Sequence, residues 1–252
     1  MKIIFNTQFY QSDYADNPAS APKRLEGIAD ALVQAGYEFS QALPAQESQI
    51  LAGHDEQYFN SVKKDKKLFQ MAMLAAGAAI KAGQTALVNQ PCFACIRPPG
   101  HHASKNSAWG YCVFSNLALA LLNLKKKNFI KSAFILDFDA HTGDGTIDML
   151  SHIKDFQIFN PMAETGEKIL MAIQKKLDQI KYTDIIAISA GFDNYIKDLG
   201  KKMSTSDFYI LGKMVKKFNE KMCHNRRFAV LEGGYYHEDL GKNVLAFCNG
   251  FS

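Results

Sequence analysis

Asp137, Asp139 and His141 follow one another at two-residue intervals at the end of an apolar run, and Asp193 ends another. In an extended strand, side chains at i, i+2 and i+4 share one face, so a strand continued through His141 would aim both acids and the imidazole the same way. Asp139, His141 and Asp193 then offer two carboxylates and one imidazole to a divalent metal, and the stretch from His141 to Asp193 is long enough for a crossover helix. Three protein ligands leave a coordination position for water, as catalytic zinc sites do. An acid after a strand is also a common helix N-cap, and that alternative stays open for Asp144 and Asp193.

His101 and His102 are adjacent in a loop stiffened by Pro98 and Pro99. A further pair of acids, Asp137 and Asp144, is available to orient the two imidazoles, which is how a general base is held and tuned. Gly233-Gly234-Tyr235 supplies a flexible turn and then a phenol. The phenol is either packed under a loop or aimed as a hydrogen-bond donor at a developing oxyanion. Gly143-Asp-Gly-Thr146 lacks the third glycine and the lysine of a phosphate loop, and no Gly-x-Ser-x-Gly elbow occurs, so nucleotide binding and serine hydrolysis have no support.

These residues fall in four clusters, Arg97–His102, Asp137–Asp144, Ala190–Asp193 and Glu232–Tyr235, each immediately after an apolar run. The runs predict strands at Lys2–Phe5, Cys92–Ile96, Ser132–Asp137, Ile185–Ser189 and Phe228–Leu231, with a weaker one at Phe156–Phe159. Continuous rather than alternating apolar runs indicate strands covered on both faces. Helical stripes lie between them: Leu25, Ile28 and Leu32, stopped at Gly36; Ile169, Ile173, Leu177 and Ile180; and Phe208, Leu211, Val215 and Phe218, entered through Ser204. The expected fold is α/β, a single domain over residues 1–252 with a central, mostly parallel sheet and helices on both faces. The carboxyl edge of such a sheet is where ligands bind.

Composition narrows the function classes. With 47% hydrophobic and 21% charged residues the chain can bury a large core, and its +4 balance is too mild for a nucleic-acid partner. The lysine runs read as solvated faces. Five scattered cysteines make no disulfide framework and suit a reducing compartment; Cys92 and Cys95, three apart on a strand, face opposite sides. The N-terminus turns polar at Asn6, and Leu68–Ile80 is shorter than the ~18 apolar residues a membrane span needs. A cytoplasmic protein with no membrane partner is expected.

Arg97-Pro-Pro-Gly-His-His-Ala103, Asp137-Phe-Asp-Ala-His-Thr-Gly-Asp-Gly-Thr146, Ser189-Ala-Gly-Phe-Asp193 and Leu231-Glu-Gly-Gly-Tyr235 occur in that order. In them the chain resembles the zinc-dependent histone deacetylases and acetylpolyamine amidohydrolases of the arginase/deacetylase fold, with weaker similarity from about Arg24 to Tyr235. The resemblance implies one catalytic Zn2+ on Asp139, His141 and Asp193, and a structural K+ near Asp137. It implies His102 as general base and acid, His101 as its electrostatic partner, and Asp137 and Asp144 orienting His101 and His102 respectively. Tyr235 would polarise the acyl carbonyl, and the Gly110 carbonyl, with Trp109 and Tyr111 beside it, would hold the substrate.

Three departures accompany the resemblance. Thr142 stands where the family often has a second histidine. A long glycine-rich insertion usual between Phe159 and Thr165 is reduced to a few residues, and only a short tail follows Tyr235, which implies a shallower, more open site. Trp109 replaces a smaller residue, either as a wall against the acyl-lysine stem or as a core side chain.

A binuclear manganese hydrolase of the same fold would need acids where Gly143 and Gly191 stand, so one metal is expected. A non-catalytic binding protein is the rival from another class, and retention of the complete set of site residues argues against it. Acyl-lysine, acetylated polyamines and other small N-acyl amides all fit as substrates. Leu199, among Lys197, Lys201 and Lys202, stands near the position that can carry an acid for a polyamine's distal ammonium. That field favours acyl-lysine unless Glu164 or Asp198 reverses it.

Overall fold

Apolar runs rich in Ile, Phe and Ala settle as short strands because both of their faces can be buried. In the computed structural model, which describes Met1–Ser252, the strands are β1 (Lys2–Phe5), β2 (Glu38–Gln41), β3 (Cys92–Ala94), β4 (Ala133–Asp137), β5 (Phe156–Phe159), β6 (Ile185–Ala190) and β7 (Arg227–Leu231). They form one sheet in the order β2-β1-β3-β7-β6-β4-β5, and every neighbouring pair is parallel.

Parallel neighbours need crossovers, and the connections carry α1 (Glu26–Gln34), α2 (Glu47–Ile50), α3 (Glu56–Val62), α4 (Lys66–Ala86), α5 (Asn116–Lys126), α6 (Asp144–Leu150), α7 (Gly166–Gln179) and α8 (Thr205–Met222), while α9 (His237–Phe251) follows the last strand. Helices α1, α7, α8 and α9 pack as one layer, and α4 packs with α5 as the other. Phe93 of β3 meets Phe247 of α9, and Phe134 of β4 meets Phe218 of α8. One continuous apolar cluster of 73 buried residues links both layers to the sheet, so a single core holds the chain.

The four strands that precede the polar clusters are consecutive neighbours, β3-β7-β6-β4, and every one of their residues is buried. Their register places Asp137 opposite Ser189 and Ala190 opposite Leu231. The four clusters therefore leave the sheet at one level, side by side.

Some expected boundaries move. β3 stops at Ala94, although the Cys95 N–H still pairs with the Ile4 carbonyl, and Ile180 caps α7 instead of belonging to it. β7 begins one residue early at Arg227, a buried guanidinium satisfied by the Phe251 carbonyl at 2.8 Å. β2 has no apolar run to announce it: Glu38-Phe-Ser-Gln41 is a polar edge strand, as sheet edges generally are. All five cysteines are free and buried, Leu68–Ile80 lies within α4, and no helix is long and apolar enough to cross a membrane.

The helix ends follow local chemistry. Gly36 stops α1 at φ +77°, where the Tyr37 N–H reaches the Leu32 carbonyl and the Gly36 N–H reaches that of Val33, a Schellman turn. Ser204 opens α8 through a reciprocal capping box with Asp207. Ser204→Ala is expected to cost about 1 kcal/mol and to lower Tm by about 2–4 °C; a circular-dichroism melt unchanged from wild type would remove the cap from the account.

Candidate active site

The turn after β4 is built by its own acids. Asp137 Oδ1 accepts the Asp139 N–H at 3.1 Å, and Asp139 Oδ1 accepts the His141 N–H at 3.0 Å. β4 ends at Asp137, so the expected continuation of the strand through His141 does not occur. The two-residue relay of side-chain-to-backbone bonds folds the segment instead, and it parts Asp137 from Asp139 and His141. Asp137 Oδ2 lies 3.0 Å from His101 Nδ1, while Asp139 and His141 turn toward Asp193.

Asp139, His141 and Asp193 each offer a ligand atom within 4.8 Å of the others. Asp139 Oδ2 accepts the Gly233 N–H at 3.0 Å and Asp193 Oδ1 accepts the Ala140 N–H at 2.9 Å. Asp193 is therefore no helix cap; it is fully buried, and its Oδ2 has only the His141 ring beside it. His141 Nδ1 stands 3.0 Å from both Asp139 Oδ1 and Asp193 Oδ2.

The electrostatics are those of a cation site. Burial and the charge of Asp139 push the Asp193 carboxyl up, because two carboxylates cannot both ionise cheaply in one buried place. Hydrogen bonds to Asp139 and then Asp193 raise His141 to about 10. Two buried carboxylates and an imidazole within reach of one point fit a divalent metal. The fit is for one ion: a Cβ at Gly143 would strike Asp137 Oδ2 and one at Gly191 would strike Asp139 Oδ2, so neither position has room for a further ligand.

A second buried group, His101, Cys112 and Glu232, has similar spacing but different chemistry. Burial raises the Cys112 thiol well above its ordinary value, and Glu232 Oε2 is taken by the N–H groups of Gly100 and His101 at 2.7 and 3.2 Å. Glu232 thus ties the histidine loop to the end of β7. Arg24 ties down the same strand end, donating to the carbonyls of Glu232 and Gly234 at 2.6 and 2.9 Å while its guanidinium lies 5.6 Å from the Tyr235 ring centre.

The two histidines occupy opposite electrostatic settings. For His101 burial opposes protonation, but the charges of Asp139 and Asp137 outweigh it and raise the ring well above the usual histidine value. His102 is lowered, by burial first and then by the neighbouring His101 charge, although its Nδ1 lies 2.6 Å from Asp144 Oδ1. Asp144 opens α6 with its side chain turned to His102 rather than back on the helix. His102 Nε2 has no protein partner and borders a cavity of about 280 Å³ with His141 and Tyr235.

Tyr111, Trp109, Gly110 and Leu199 line the same cavity. Burial pushes the Tyr235 hydroxyl well up, so it stays a neutral donor, and its ring meets Tyr111 edge-on at 5.9 Å. Gly110 sits at φ +59°, where a Cβ would strike the His102 ring; its carbonyl receives only a 3.7 Å contact from Cys112 Sγ. Trp109 is not a core side chain: it is 56% exposed and stacks on His102 with ring centres 3.8 Å apart.

No carboxylate lies among the residues lining the cavity. Asp198 is spent on the backbone, accepting the N–H groups of Tyr235, Tyr236 and Leu199, and Glu164 pairs with Lys168. Lys197 is bound to Asp239 at 2.9 Å.

The roles of Glu232 and Arg24 were not legible in the sequence. Their partners are main-chain groups more than 130 residues away, and such bonds leave no spacing pattern.

Known proteins resemble this chain in sequence and in fold. "Histone deacetylase 14, chloroplastic" of Arabidopsis thaliana is 29% identical over 70% of this chain, which spans about half (52%) of that relative's length. A "Probable deacetylase" of Archaeoglobus fulgidus is 28% identical over 92% of this chain and 80% of its own. A crystal structure of the HDA15 HD domain superposes with TM-score 0.88 at 20% identity, covering 99% of this chain and 88% of that one, and so has the same fold. The histone deacetylase domain model matches residues 18–169 and 160–251, and the chain belongs to the histone deacetylase family.

Proposed function

We propose that the protein is a metal-dependent amide hydrolase that removes an acyl group from an amine, with acyl-lysine as the preferred substrate. The observation that carries this reading is geometric: two adjacent histidines, each bound through Nδ1 to its own carboxylate, stand beside a two-carboxylate, one-imidazole group and a phenol at one cavity. Pairs of titratable groups pushed apart by their surroundings mark a division between acid and base roles.

Asp139, His141 and Asp193 would hold a zinc ion, which when bound supplies Lewis acidity to the substrate carbonyl and makes a water acidic at neutral pH. His102 accepts the proton of the attacking water at Nε2, the nitrogen left free when Nδ1 is bound to Asp144. His102 then returns that proton to the departing amine, so one group serves both steps. His101, charged and fixed by Asp137, stabilises negative charge next to it, and the Tyr235 hydroxyl donates to the oxygen of the former carbonyl. The Gly110 carbonyl accepts the substrate amide N–H, and Trp109 and Tyr111 flank it.

Each oxygen of Asp137 meets one protein group, His101 Nδ1 or the Asp139 N–H, and a structural K+ would lie near this residue. The carboxylate-free lining and the commitment of Asp198 and Glu164 elsewhere favour a neutral aliphatic stem over a polyamine whose second ammonium seeks an acid.

Tyr235→Phe is expected to keep its zinc and lose turnover by ~10²–10³, the usual effect of removing one oxyanion donor. Measured on an acetyl-lysine peptide and an acetylated polyamine in parallel, equal turnover by mutant and wild type would remove Tyr235 from the mechanism. Faster turnover of the polyamine would reverse the substrate assignment. Asp193→Ala is expected to lose the metal, read as zinc per chain after dialysis; a full equivalent retained would mean that the third ligand is another residue.

A further inference from the structure

The half-exposed Asp144 carboxylate needs something to hold it, because one oxygen bound to His102 leaves the other to water and to rotation. That second oxygen, Oδ2, accepts the indole N–H of Trp109 at 2.8 Å. Indole nitrogen donates and never accepts, so the bond has one sense, and it fixes the plane of the carboxylate that meets the imidazole.

The same side chain covers the base. The Trp109 and His102 rings lie 3.8 Å apart at 29°, and His102 is left 3% exposed, although Trp109 itself is 56% exposed. The backbone enforces the arrangement: Gly110 at φ +59° and Tyr111 at φ +67° are two successive left-handed residues directly after Trp109. Tyr111 adopts that conformation despite its side chain, which costs energy unless the surroundings hold it. The absence of a Cβ at Gly110 lets this turn close on His102.

We propose that Trp109 is a positioning residue for the base: its N–H locks Asp144 and its ring covers His102, making a three-member chain Trp109–Asp144–His102. The proposal rests on His102 acting as the base of the deacetylase reading.

Trp109 is the sole tryptophan of the chain, so its fluorescence reports this contact without any turnover. In the wild-type protein the time-resolved anisotropy should decay with overall tumbling alone, and Asp144→Ala should add a sub-nanosecond component as the indole comes free. Unchanged anisotropy in Asp144→Ala would overturn the proposal, with circular dichroism establishing that the variant is folded.

The kinetic arm uses Trp109→Phe, which keeps a stacking ring and removes only the donor. Its kcat should fall about ten-fold, as for one charge-assisted hydrogen bond, with KM changed less than two-fold. In the Asp144→Ala background the same substitution should change kcat less than two-fold, because the donor then has nothing to hold. Equal fold losses in both backgrounds would overturn the coupling. If wild-type protein turns over neither the acetyl-lysine peptide nor the acetylated polyamine, the deacetylase reading fails, and the anisotropy arm alone decides the contact.

Discussion

Two buried carboxylates, Asp139 and Asp193, face one imidazole at the carboxyl edge of the sheet, and much of the local architecture compensates their charge. A buried ion is costly unless it is paired and hydrogen-bonded. Asp139 takes N–H groups from His141 and Gly233, and Asp193 takes that of Ala140. Gly191 and Gly233 let backbone approach these oxygens where any side chain would collide. The rest of their charge faces the single ring of His141, and two carboxylates against one imidazole suit a cation.

From that charge follows the difference between two adjacent histidines. His101 lies toward the acids, 3.0 Å from Asp137 and 3.8 Å from Asp139, whose charges favour its protonated form. His102 lies one residue further out, against the aromatic ring of Trp109, and the charge on His101 itself helps keep it neutral. Such a split needs a loop that cannot rotate. Glu232 supplies this by binding two successive N–H groups of the loop from the end of the neighbouring strand, while Arg24 fixes that strand end from the other side.

The sequence made the central strands and the membership of the site legible because both depend on local signals. β3, β4, β6 and β7 are continuous apolar runs, and the polar residues that follow each run stand out against them. β2 carried no such signal, being polar on a sheet edge. Strand periodicity also brought Asp139 and His141 together for a reason that does not hold, since β4 ends two residues before Asp139 and a side-chain relay makes the turn. Side chains whose partners are distant backbone groups, Glu232 and Arg24 above all, are invisible to spacing arguments. Trp109 was ambiguous between wall and core because its two contacts, with His102 and Asp144, lie in different segments.

The shape of the mouth follows from where the remaining charges are used. Asp198 stands beside the cavity in sequence, yet its carboxylate is consumed in holding the backbone of Tyr235, Tyr236 and Leu199. Asp198 thus fixes the backbone of Tyr235, and Leu199, next to it, presents an apolar side chain that is 62% exposed. Trp109 and Tyr111 add two aromatic surfaces at the same rim. The carboxylate that anchors the backbone of Tyr235 is thus the same one that leaves the rim to Leu199 and the two aromatic rings.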